Sequence, residues 1–230
     1  MEHSLGPSAL RAQISTLRFP PTNLAAAQFR EVFNRLSSLE SFNYMITGEG
    51  VEMSVPPREN GDPIKISLSR EAVQVSLDPT TKSVEFAAEQ LAAILKEIAP
   101  ILPVPVFIHQ THILRKTLPL SGSRDARSFL LSEILHIPQE RMVNWKRPFA
   151  AVGLRFMFPP QHANELSTHD LKIESFLQDP GKVFLENTSN FLIPLPAGQW
   201  DLLKANLAEA NRFLDEYASH LLRESPASET

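Results

Sequence analysis

The chain has 230 residues, 43% of them hydrophobic, a formal net charge of −4 and no cysteine. That is enough apolar material for a buried core and too much for global disorder, and the missing cysteine removes disulfide scaffolds, thiolate zinc sites and cysteine nucleophiles together. Nineteen prolines against eight mostly isolated glycines leave no glycine loop of the kind that cradles phosphate, which argues against the common nucleotide-dependent enzymes.

The first strand is expected over Ile14–Phe19, stopped by Pro20-Pro21. Thr22 or Asn23 is placed to cap a helix running to about Leu36, with Leu24, Ala27, Val32 and Leu36 on its apolar stripe. A meander follows. Phe42, Tyr44 and Ile46 alternate with polar positions, as do Val51, Met53 and Val55, and Ile64, Ile66 and Leu68 pair by pattern with Val73, Val75 and Leu77 across Ser69-Arg70-Glu71. Ser83 caps a second helix whose stripe runs from Val84 to Ile98 and ends at Pro100. Val106 to about Leu118 reads as extended, and a helix follows Ser123 as far as His136. Ala151–Phe158 is a strongly apolar strand, and Leu171–Leu177 with Lys182–Asn187 forms a hairpin around Gln178-Asp179-Pro180-Gly181. The last helix, Gln199–Arg223, carries Trp200, Leu203, Leu207, Ala210, Leu214, Tyr217 and Leu221 at alternating steps of three and four, a strict heptad seam. Such a stripe either covers the second sheet or meets another helix, between lobes or between subunits.

The element order repeats, and so does a string, Leu17-Arg18-Phe19-Pro20-Pro21 and Leu154-Arg155-Phe156-Met157-Phe158-Pro159-Pro160. The expectation is an α+β protein of two similar lobes, each an antiparallel strand meander covered by helices, ending in a long amphipathic C-terminal helix. The boundaries are an N-terminal lobe over 1–103, a C-terminal lobe over 104–223 and a disordered tail over 224–230. No apolar run approaches the ~20 residues of a membrane span, and Met1–Gly6 lacks the basic and apolar regions of a secretory signal. A soluble, cytoplasmic, bacterial protein with no membrane partner is expected.

Charge is unevenly spread. Residues 1–114 sum to −3, residues 115–155 to +5 and residues 156–230 to −6. The basic middle supplies the candidate binding residues: Arg115, Lys116, Arg124, Arg127, Arg141, Trp145, Lys146 and Arg147. They could neutralise phosphates while Trp145 stacks on a base, or lie against an acidic protein surface such as the C-terminal helix. The helix seam of Trp200, Leu203, Leu207, Leu214, Tyr217 and Leu221 is the other candidate contact. His109-Gln110-Thr111-His112 is the one histidine cluster. On a strand His109 and Thr111 share a face and His112 opposes them, which cannot hold one metal. The His-x-Thr pair is half of what a two-histidine phosphoesterase needs, and no second copy occurs. Asp170, Glu174, Asp179 and Glu186 gather on the second hairpin, where Lys172 and Lys182 are spaced to pair with them across strands. No metal, cofactor or catalytic residue is expected.

Gly153-Leu154-Arg155-Phe156 and the run from Leu171 to Pro180, with the Leu-Arg-Phe-Pro-Pro opening of the first half, resemble motifs of a sporadically distributed, uncharacterised bacterial family of two-lobed α+β proteins. The resemblance covers about half the chain and implies a compact two-lobe fold, but no activity. Three functional readings stay open. The leading one is a non-enzymatic binding or adaptor protein acting through protein–protein contacts, possibly as a homodimer. The second is RNA binding through the 115–155 band. The third is a phosphoesterase-like hydrolase centred on His109 and Thr111.

Overall fold

Stretches that alternate apolar and polar residues bury one face and wet the other, and this chain stacks them side by side. The computed structural model describes residues 6–38, 40, 42–47, 50–55, 62–121, 125–143, 146–147, 149–162 and 165–223. Among these, strands β1 (Ala9–Arg18), β2 (Asn43–Ile46), β3 (Gly50–Val55), β4 (Ile64–Ser69), β5 (Ala72–Leu77), β7 (His109–Pro119), β8 (Gly153–Phe158), β9 (Ser167–Ser175) and β10 (Lys182–Phe191) form one nine-stranded sheet. Its order is β2-β3-β4-β5-β1-β7-β10-β9-β8, and every pairing is antiparallel. Two short strands, β6 (Val106–Phe107) and β11 (Leu195–Pro196), pair separately.

The halves of the chain meet in the β1–β7 pair at the middle of this sheet. In each, a first strand (β1 or β7) is followed by helical segments and a meander whose last strand (β5 or β10) returns to pair with it. The repeated string does not mark corresponding places. Its first copy ends the central strand β1, where Leu17 and Phe19 are buried, and its second copy lies in the terminal strand β8.

Helix α1 (Ala26–Ser37) starts later than Thr22 or Asn23 would have it. Thr22 is engaged in the preceding turn, its hydroxyl donating to the Pro20 carbonyl (2.9 Å), and Ala25 is the cap, its N–H bound by the Gln28 side chain at 2.9 Å. Helix α2 (Val84–Ile98) starts as expected, with the Ser83 hydroxyl accepting from the Phe86 N–H at 3.2 Å. After β7 comes a short helix, α3 (Ala126–Phe129), capped by Asp125, which widens into a π-type turn over Leu130–Ile134. Helix α4 (Gln139–Val143) is brief, and α5 (Trp200–Arg223) is 24 residues long.

One face of the sheet takes α1, α2 and α5. A first apolar cluster joins Val51, Met53, Ile66, Leu68, Val73 and Val75 to Leu91, Leu95 and Leu203, and a second joins Leu114, Leu171, Ile173 and Leu185 to Leu207, Ala210 and Leu214. Helix α5 therefore spans both clusters, with its stripe turned onto the sheet. Ile46 breaks the expected pattern. It lies at the end of the terminal strand β2 and is 71% exposed, because nothing described packs beyond it. No helix among the described residues is long and apolar enough to cross a membrane.

Candidate interaction edge

An antiparallel sheet that ends in an unpaired strand offers a row of free N–H and C=O groups. Among the described residues the sheet ends at β2, four residues long, and at β8, six residues long. The hydrogen bond from the Ser175 N–H to the Val152 carbonyl (2.8 Å) fixes which groups of β8 face outward. Bonding alternates along an antiparallel ladder, so the even residues of β8 bond to β9, and Gly153, Arg155 and Met157 turn their N–H and C=O to the outside. Met157 is 75% exposed. On the helix side, half-buried Leu154, Phe156 and Phe158 lean on α5, with Phe158 5.0 Å from both the Phe213 and the Tyr217 rings. Beyond β8, Pro159-Pro160 ends the strand. Arg155 is its only charge, held by Asp170 (Nε to Oδ1 2.9 Å) on the uncovered face.

The basic residues of 115–155 are dispersed. Arg115 lies on the uncovered face, paired with Glu186 (2.8 Å) and Asp78 (3.4 Å). Lys116, next in the strand, points to the helix side, is buried and bonds both carboxylate oxygens of Asp215 on α5 at 2.7 and 2.8 Å. Arg127 closes on Asp125 at 2.7 Å. Arg141, Lys146 and Arg147 are exposed around α4. Arg124 and Trp145 lie outside the described residues. The seam of α5 is turned inward: Leu203, Leu207 and Leu214 are fully buried, Trp200 and Leu221 are half-buried, and Tyr217 lies at the margin beside Phe158.

Two of the hairpin carboxylates pair across strands and a third within the turn. Glu186 opposes Lys172 and bonds it at 2.5 Å, Asp170 holds Arg155, and Asp179 holds Lys182 at 2.8 Å. Burial pushes the Glu186 carboxyl upward, but the hydrogen bonds from Lys172 and Arg115 outweigh it and leave it below the usual range. Among the described residues no group of three His, Asp or Glu side chains is arranged to hold a metal ion.

His109 and Thr111 face the uncovered side, and His112 faces the helices. Thr111 donates to the Asn190 amide oxygen at 2.9 Å, and burial beside Arg18 lowers the His109 pKa. His112 belongs to a feature that the histidine cluster does not reveal. Directly opposed across four strands are Ser15, His112, Ser189 and His169. All four are buried. Gln13 donates to the Ser15 hydroxyl, which lies 2.6 Å from the His112 Nδ1. Asn187 donates to the Ser189 hydroxyl at 2.9 Å, and that hydroxyl lies 2.9 Å from the His169 Nδ1. The same relay of amide, hydroxyl and imidazole thus occurs twice. Each serine accepts from the amide and keeps its own proton and a second lone pair for the imidazole Nδ1. Burial lowers the His112 pKa to about 3 and that of His169 in the same direction, so both rings are neutral near pH 7. Helix α5 closes over the row: Asn206 donates to Gln110 at 3.2 Å, and Asn187 donates to the Ala210 carbonyl at 2.8 Å. The signal was present as polar residues at every second position, 13 and 15, then 187 and 189, inside strands whose other inward residues are apolar. The open clefts lie elsewhere. One of about 570 Å³ runs between α2 and α5 past Val84, Ala88, Ala205 and Ala208, and no histidine lines it.

No protein-family model matches the chain, and no curated protein does either.

Proposed function

We propose that the chain is a non-enzymatic binding protein that acts through protein–protein contacts, and that a partner adds to its sheet along the outer edge of β8. The observation that carries this reading is the edge: three residues with outward backbone groups, a methionine 75% exposed, and a half-buried Leu-Phe-Phe row beside it. Natural sheets blunt such edges with inward-pointing charges, bulges or short strands. The one charge of β8 is on the uncovered side and already has a partner. Addition of a strand supplies main-chain hydrogen bonds, and the aromatic row supplies side-chain packing.

The uncovered face favours protein over nucleic acid as partner. Arg18, Lys65, Arg115, Arg155, Lys172 and Lys182, which lie on it by register, each hold a carboxylate. A polyanion would have to displace those acids before gaining a contact.

The test substitutes Met157→Pro. The Met157 N–H faces outward, so proline there removes a donor from the edge and leaves the β8–β9 ladder intact. The wild-type chain is expected to recover a protein that rebinds when purified, and Met157→Pro to lose it with an unchanged melting temperature. Equal recovery by both forms, and unchanged self-association, would remove β8 as the docking edge.

A further inference from the structure

Resting on the edge reading above, we infer that the strand added to β8 is the β8 of a second copy, antiparallel, with Phe156 on the two-fold axis. The register follows from bonding parity. Only residues with outward groups form the hydrogen-bonded pairs of an antiparallel ladder, so Gly153, Arg155 and Met157 must meet residues of the same set. Centring the pair on Arg155 sets the two guanidinium groups opposite each other, a like-charge contact that a sheet disfavours. Centring on Met157 leaves one fully bonded pair, Met157 with its own copy, since Arg155 then meets Pro159, which has no N–H to give, and Gly153 falls beyond its partner's strand. Centring on Leu154 leaves Met157 beyond its partner's strand.

Centring on Phe156 pairs Arg155 with Met157 in both directions, and each such pair exchanges two hydrogen bonds. Gly153 then meets Pro159, whose carbonyl still accepts. On the helix side Leu154 meets Phe158, and the two Phe156 rings meet each other, which continues the cluster of Phe158, Phe213 and Tyr217 across the axis. The helices of both copies lie on the same side, because the axis is perpendicular to the sheet, and isologous contacts of this kind close as dimers. No charge is buried without a partner, since Arg155 keeps Asp170 on the uncovered face.

The chain has no cysteine, so single cysteines report the register without interference. In an oxidised sample of the full chain, Phe156→Cys is expected to run as a covalent dimer on a non-reducing gel. Leu154→Cys and Phe158→Cys are each about 13 Å from their own copies in this register at 3.3 Å per residue, beyond the ~7 Å that a disulfide spans, and are expected to stay single. Sedimentation should give a dimer for the wild type and a monomer for Met157→Pro, with circular dichroism melting to confirm that both are folded. A wild-type dimer that survives Met157→Pro overturns the use of β8. A dimer lost with Met157→Pro, but without the Phe156→Cys cross-link or with one at Leu154 or Phe158, overturns the register. A wild type that sediments as a monomer at every concentration, with no cross-link, overturns the second copy. The edge reading then stands if Met157→Pro still abolishes recovery of a different protein, and falls with it if not.

Discussion

The two sides of the covered sheet face are packed by opposite means. Over β3, β4 and β5 the buried inward side chains are Val51, Met53, Val55, Ile66, Leu68, Val73, Val75 and Leu77, none more than 5% exposed and none polar. Over β1, β7, β10 and β9 the inward row is Ser15, His112, Ser189 and His169, with Gln13, Gln110 and Asn187 beside it. The first region gains stability from area removed from water, about 25 cal/mol per Å², and a slip by two residues would keep its pattern. The second spends part of its burial on hydrogen bonds with defined partners, which only one register satisfies. The polar row is also where the halves of the chain meet. The difference teaches that bulk apolar packing gives collapse, and that the join between halves is specified by a few named donors and acceptors.

The largest expected effect tests the apolar side. Leu68→Ala removes buried volume with no polar group to reorganise, and urea unfolding should show a loss of about 2–5 kcal/mol. Next is the polar row. Ser189→Ala takes the partner from one Asn187 N–H and from the His169 Nδ1 at once, while the other Asn187 N–H keeps the Ala210 carbonyl, and each unmade buried hydrogen bond costs about 1–3 kcal/mol. The Ser15→Ala/His112→Leu double substitution should cost less than the two single changes added together, because it removes both partners of one bond. Additive losses would mean that the row is not coupled.

Acid should separate the regions further. The His112 pKa is depressed to about 3 in the folded chain against an ordinary 6.5, and burial lowers that of His169 as well. In this window the unfolded chain binds more protons, so stability is full above about pH 6.5 and falls as the pH drops from there toward 3. Each such histidine contributes a slope of up to about 1.4 kcal/mol per pH unit. His112→Gln should flatten the dependence measured by urea unfolding at pH 7, 5 and 4, whereas Leu68→Ala should lower the curve without changing its slope. A slope unaltered by His112→Gln would remove that residue as its source.

The smallest effect concerns ion pairs. Lys65 and Glu52, 3.0 Å apart on the first half, are 55% and 35% exposed, and Lys65→Ala should change stability by no more than about 0.5 kcal/mol. Glu186 is 10% exposed and serves both Lys172 and Arg115, so Glu186→Gln should exceed that change while remaining below the cost of Leu68→Ala. Equal costs for the two would mean that burial does not govern these pairs.

By itself the sequence determined what depends on neighbours along the chain. Period-two alternation set β3, β4 and β5, Ser83 set the start of α2, Gln178–Gly181 set the turn between β9 and β10, and the heptad spacing set α5. The acids of the second hairpin were legible for the same reason, since Lys172 and Glu186 oppose each other across a short turn. Tertiary structure alone decided the order of strands, because pairing partners far apart in sequence leave no local trace. Ala151–Phe158 reads as an apolar strand whether it is central or terminal, and only its place at the end of the sheet makes Met157 and the outward groups of β8 available. The basic residues of 115–155 dispersed for a related reason. Successive side chains of a strand point to opposite faces, so Arg115 and Lys116, adjacent in sequence, serve a surface carboxylate network and a buried lock on α5 respectively. Ser15, His112, Ser189 and His169 are unremarkable in four separate strands, and they become one row only when β1, β7, β10 and β9 lie side by side in register under α5.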